Sequence, residues 1–159
     1  MQEVVEIDKT DEFYMKMALE EALTAFRLNE VPIGCVLVKN GQVIAQAYNR
    51  KTLDNVATYH AEMLAIEMAC KRLNTWYLDD CVLYTTVEPC MMCTGAIVQS
   101  RISKVVYGTS NEAFGHLEKT DGLKIMKVSG ILGKECQDLL SKFFQEKRER
   151  KKKGQLVKI

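Results

Sequence analysis

The chain has only two prolines and nine glycines in 159 residues, too few for long disordered stretches. No apolar run approaches the roughly 20 residues that a membrane span needs. The start, Met1 to Asp11, carries Glu3, Glu6, Asp8 and Asp11 and lacks the basic-then-apolar order of a secretory leader. Without such a leader, the six cysteines are expected as reduced thiols in the cytoplasm rather than as a disulfide framework. There is no second C-x-x-C: Cys35, Cys70, Cys81 and Cys136 show no such spacing, which argues against a four-cysteine structural zinc knot. Internal repeats and linkers are also missing. With 47% hydrophobic residues the chain can fill a real core, and its length suits a single domain over residues 1–159.

Net charge is only +1, but it is unevenly spread. The last stretch, 142–159, holds eight Lys or Arg against two Glu, and the remainder is acidic on balance. A basic tail on a mildly acidic body points to a polyanionic partner. A solvated helix end matched to its dipole is the plainer alternative. The run Lys147, Arg148, Arg150, Lys151, Lys152 and Lys153 is denser than dipole matching needs, which favours phosphate contact.

Hydrophobic spacing lays out the elements. Thr10 can cap a first helix, with Asp11 and Glu12 in its first turn and Met15, Leu19, Ala22 and Phe26 on one face. Val31-Pro32 ends it. Ile33 to Lys39 reads as a strand, Asn40-Gly41 as a two-residue hairpin turn, and Gln42 to Tyr48 as the returning strand. A helix is expected from His60 to Leu73, ending at Asn74. A strand over Cys81–Val87 leads through Pro89 into a helix over Cys90–Gln99. Further strands are expected at Ser103–Gly108 and Ile125–Val128. A last helix is expected over Glu135–Lys152, with Leu139, Leu140, Phe143 and Phe144 inward. The order predicts an α/β fold of three layers, a mixed five-stranded sheet covered by helices on both faces.

Two short motifs carry the chemistry: His60-Ala61-Glu62, and further on Pro89-Cys90-Met91-Met92-Cys93. Cys90 and Cys93 are one helical turn apart and point the same way. With His60 they form a thiolate and imidazole set that suits zinc, and three protein ligands leave a fourth tetrahedral position for water. Glu62 is close enough to move protons without ligating. A redox C-x-x-C or a structural zinc site would leave the His-x-Glu unexplained. Both motifs start helices, whose positive ends favour thiolates.

This H-x-E…P-C-x-x-C pattern resembles that of zinc-dependent nucleobase deaminases. The chain is similar, over nearly its whole length, to the tRNA adenosine deaminases of the cytidine deaminase-like fold. The likeness rests on both motifs and on Val31-Pro32-Ile33-Gly34, Tyr48-Asn49-Arg50, Gly95-Ala96-Ile97, Ser100-Arg101-Ile102, Gly130-Ile131-Leu132 and Leu139-Leu140-Ser141-Lys142-Phe143-Phe144. It implies adenosine-to-inosine editing at the wobble position of a tRNA anticodon stem-loop by a homodimer. It implies one Zn2+ per subunit on His60, Cys90 and Cys93, with Glu62 as proton shuttle. Asn49 would hydrogen-bond the flipped base and Ile33 would pack on it, with Ala61, Pro89 and Asn111 as further substrate contacts. Taken alone, Asn49 fits a turn residue equally well, Ile33 fits plain core, and Met91 and Met92 fit fillers of a packed helix or dimer surface.

Three departures from the family pattern stand out. Ala57-Thr58-Tyr59 precedes the histidine, where Tyr59 would narrow the pocket mouth. Asn111 stands where many relatives have Asp, removing a charge that phosphates would repel. The 108–129 stretch is shorter than in common relatives by about two helical turns, which bears on the RNA footprint and on dimer geometry. Two other functions share these motifs. A deaminase of free guanine, cytosine or their nucleotides would have the same zinc site but no use for the basic end. A non-catalytic partner subunit would lack Glu62.

Overall fold

A computed structural model describes residues 10–154, so the acidic start before Thr10 and the last stretch, 155–159, lie outside the described residues. Helix α1 (Asp11–Arg27) begins as expected: Thr10 Oγ1 accepts the Phe13 N–H at 3.3 Å. Its buried stripe differs from the expected face. Tyr14, Met15, Ala18, Ala22 and Ala25 are inside, whereas Leu19 and Phe26 are only half-buried. The alanines have a physical reason. Gly34, the first residue of β1 (Gly34–Lys39), lies directly beneath them, where an added Cβ would run into the Ala18 carbonyl and the Ala22 nitrogen. Helix and sheet therefore meet backbone to backbone.

The β1–β2 hairpin turns at Asn40 and Gly41, both at positive φ (50° and 75°), and pairs Lys39 with Gln42. That is the two-residue turn whose twist matches paired strands. After β2 (Gln42–Tyr48) come α2 (Ala61–Leu73), closed by Asn74 in the left-handed conformation, then β3 (Cys81–Val87), α3 (Met91–Gln99) and β4 (Lys104–Thr109). A short 3-10 turn at Leu117–Lys119, which no local pattern announced, precedes β5 (Met126–Val128). Helix α4 (Gly133–Lys152) starts two residues earlier than its spacing suggested.

The strands form one sheet in the order β2-β1-β3-β4-β5. β1 is antiparallel to both β2 and β3, whereas β3, β4 and β5 run parallel. Helices α2 and α3 cover one face around Leu37, Ala65, Leu83, Ile97 and Val105. Helices α1 and α4 cover the other around Met15, Val36, Tyr84, Val106 and Cys136. The inner strands β1, β3 and β4 are thus buried on both sides, and β1 and β3 read as nearly continuous apolar runs. The C-terminal ends of β3 and β4 open onto the N-termini of α2 and α3, the edge where open α/β sheets place their ligands.

Candidate active site

Each candidate metal-binding motif sits at a helix start, with its first candidate ligand as the N-cap. His60 caps α2 and Cys90 caps α3, both with extended backbone and neither using its side chain on the helix. The side chains turn toward each other instead. Among the described residues, the ligand atoms of His60, Cys90 and Cys93 all lie within 4.8 Å of one another. His60 Nδ1 is 3.6 Å from each sulfur. Tetrahedral zinc with ordinary bond lengths puts nitrogen and sulfur about 3.6 Å apart. The donor set and its spacing therefore fit zinc, with Nδ1 as the ligating nitrogen.

The electrostatics agree. A hydrogen bond from Cys93, helped by His60, holds the Cys90 thiol down at about 4, and the same bond together with burial pushes Cys93 up. His60 is raised, first by its hydrogen bond with Cys90. Glu62, in the first turn of α2, is 3% exposed, and burial raises its carboxyl above the usual range. Its Oε1 accepts from the Thr85 hydroxyl at 3.1 Å and from the Cys35 thiol at 3.5 Å.

Above this cluster opens a cavity of about 1080 Å³. Ile33, Asn49, Ala61, Glu62 and Asn111 all line it, as do His60 and Cys90. Ile33 also packs against the core, so it serves two roles at once. Asn49 is held firmly: its Nδ2 donates to Glu30 and to the Val31 carbonyl, both at 3.4 Å, and its Oδ1 accepts the Lys51 N–H. Asn111 Oδ1 accepts the Phe114 N–H at 3.0 Å, which shapes the loop after β4. Pro89 is buried and does not line the cavity; its carbonyl accepts the His116 N–H at 2.9 Å and ties that loop to α3. Tyr59, expected at the mouth, does not line it either, and its carbonyl accepts the Arg50 N–H.

The far wall of the cavity is α4, through Leu140, Phe144, Lys147 and Arg148. The basic row does not face solvent as a unit. Lys147 is 4% exposed, with its amine 4.8 Å from the centre of the Phe143 ring, and burial lowers its pKa. The helical period turns Lys147 inward one turn after Phe143. Arg150 is half-buried, and Arg148, Lys151, Lys152 and Lys153 are exposed.

Sequence reasoning missed two buried carboxylates. Glu30 accepts from Asn49 and from the Leu53 N–H. Glu88 accepts from the Asn111 and Glu118 N–H groups and so fixes both ends of the loop. Neither has a sequence signature beyond its place beside a motif.

Residues 8–109 match the family model of the cytidine and deoxycytidylate deaminase zinc-binding region. The tRNA-specific adenosine deaminase of Bacillus subtilis is 45% identical, the match covering 89% of this chain and 93% of that protein. The chain belongs to the tRNA-specific adenosine deaminase family. Its fold is that of these zinc-dependent deaminases. A solved structure from a study of A-to-I editing by tRNA:A34 deaminases at the wobble position of transfer RNA superposes with a TM-score of 0.77 at 38% identity, covering 80% of this chain and 98% of that one. A guanine deaminase from Bacillus subtilis superposes with a TM-score of 0.62 at 36% identity, covering 72% and 78%. The zinc fold is thus shared between deaminases of RNA and of free bases. Substrate choice has to come from the walls around the metal cluster.

Proposed function

We propose that this protein hydrolytically deaminates adenosine to inosine at the wobble position of a tRNA anticodon stem-loop. The observation that carries this reading is the continuity of one cavity from the His60, Cys90 and Cys93 cluster to the basic helix α4. A free base needs only the floor. The cavity sits at the upper end of the roughly 300–1,000 Å³ usual for small-molecule sites, and Arg148 lines a wall where a phosphate backbone would pass. Exposed Lys151, Lys152 and Lys153 extend that track.

His60, Cys90 and Cys93 would hold one zinc per chain. Bound zinc would acidify a water and make it a nucleophile at neutral pH. Glu62 takes the proton from the attacking water and passes it to the ring nitrogen beside C6. A second proton transfer through Glu62 lets the C6–N bond break and ammonia leave, giving inosine. Asn49, fixed by Glu30, presents its amide to the edge of the flipped base, and Ile33 packs on its face. Ala61 lines the pocket at the first turn of α2 and would contact the base there.

The protein acts as a homodimer in this reading. Helix α3 carries no charged residue, and Met91 on it and Met68 on α2 are exposed. None of the six cysteines is in a disulfide, in keeping with action in the cytoplasm. No helix among the described residues is long and apolar enough to cross a membrane. Incubating the zinc-loaded protein with an adenosine-34 stem-loop and, separately, with guanine and cytosine tests the substrate. Inosine in the RNA supports the reading. Ammonia from a free base with the RNA untouched would replace it with the nucleobase alternative.

A further inference from the structure

Cys35 and Thr85 are direct partners across the antiparallel β1–β3 pair. Both are fully buried, and both face the helix α2 side of the sheet. Their side chains converge on one atom: Glu62 Oε1 receives the Thr85 hydroxyl at 3.1 Å and the Cys35 thiol at 3.5 Å. The Thr85 hydroxyl is also 3.1 Å from the Val87 carbonyl. It has one proton for two acceptors. Cys35 is the donor that Oε1 keeps when that proton turns to Val87.

We propose that Cys35 and Thr85 are positioning residues for Glu62, a cross-strand pair that pins Oε1 to the sheet and leaves the other carboxylate oxygen for proton transfer in the cavity. The inference rests on the deaminase reading above. A buried cysteine is usually a small apolar filler, and neither residue belongs to the metal motifs. Here two donors on adjacent central strands reach the same oxygen, which filling alone does not require. Glu62 stands on the first turn of a helix, where its side chain could otherwise swing. A misplacement of about 1 Å at such a group can cost on the order of a hundredfold in rate. Rigid strands are better supports for such a group than loops.

The test uses Cys35→Ala, Thr85→Val and the double variant, on zinc-loaded full-length protein with the stem-loop substrate. Thr85→Val removes a donor at nearly constant volume. Losing a hydrogen bond to a charged group should lower kcat by about tenfold each, with KM within about twofold and zinc content unchanged. Cys35→Ser and Thr85→Ser keep a donor and should recover most of the rate. A second readout needs no turnover. The S–H stretching band of Cys35, assigned by its loss in Cys35→Ala, should move to higher frequency in Glu62→Ala. Three results would overturn the proposal: kcat within about twofold in the double variant, loss of zinc in step with loss of rate, or an unmoved S–H band. A wild-type protein inert on RNA would instead overturn the substrate reading, and the S–H band alone would then decide the clamp.

Discussion

Cys90 belongs to the candidate metal cluster and Glu62 shares its cavity, and the proposed mechanism gives them different jobs, so replacing them should give opposite signatures. Cys90→Ala removes a ligand whose sulfur is 3.6 Å from His60 Nδ1, and metal analysis of the purified variant should show zinc lost. Retained zinc would place the site elsewhere. Glu62→Ala should keep zinc, because the proposed ligand set is His60, Cys90 and Cys93 and does not include Glu62. Its turnover should fall by at least about 10²–10⁴-fold, the usual contribution of a general acid–base group. Near-normal rates would remove it from the mechanism. Burial raises the Glu62 carboxyl, in keeping with a group that must both accept and return a proton. The grouping of His60, Cys90 and Cys93 was legible in the sequence because zinc chemistry fixes residue type and spacing together, and Glu62 comes with His60 in the same motif. The supports were not. Glu30, Glu88, Cys35 and Thr85 act through contacts made only when distant segments meet.

At the scale of elements, local rules did most of the work. Asn40-Gly41 has one comfortable hairpin geometry, Asn74 accepts the left-handed conformation at a helix end, and Thr10 caps α1. Local rules failed where the partner decided. The register that sets Cys35 opposite Thr85 depends on β1 and β3 lying side by side, and no window of sequence contains both. The alanine stripe of α1 is another case. Leu19 and Phe26 are the larger apolar residues, yet Ala18 and Ala22 face the sheet because Gly34 lies beneath them. This close approach is testable. Gly34→Ala places a methyl 2.5 Å from the Ala22 nitrogen, against backbone that cannot step aside. Overpacking of this kind costs about 3 kcal/mol, so the melting temperature should drop by about 6–12 °C. An unchanged melting temperature would show that α1 lifts off the sheet freely.

For the molecule as a whole, the candidate metal cluster and the basic residues lie apart: His60, Cys90 and Cys93 gather at the starts of α2 and α3, and the positive charge gathers at the end of α4. Lys147 has to be set apart from that group, since it is buried against Phe143. Changing Arg148, Arg150, Lys151, Lys152 and Lys153 together to Gln should weaken tRNA binding. The dependence on salt should flatten by about 0.7–0.9 unit of slope per lost phosphate contact. Deamination at saturating RNA should fall far less, because phosphate contacts position the substrate and do not take part in the chemistry. An unchanged slope would make the helix end a solvated terminus. Substrate choice between RNA and a free base remains the most direct point of decision, because guanine deaminase shares the fold. The measurement is mass analysis of the anticodon stem-loop after incubation with the zinc-loaded protein, with released ammonia followed in parallel on free guanine. Conversion of the wobble adenosine to inosine, with guanine left intact, is the expected result. Ammonia from guanine beside an unaltered stem-loop would contradict it.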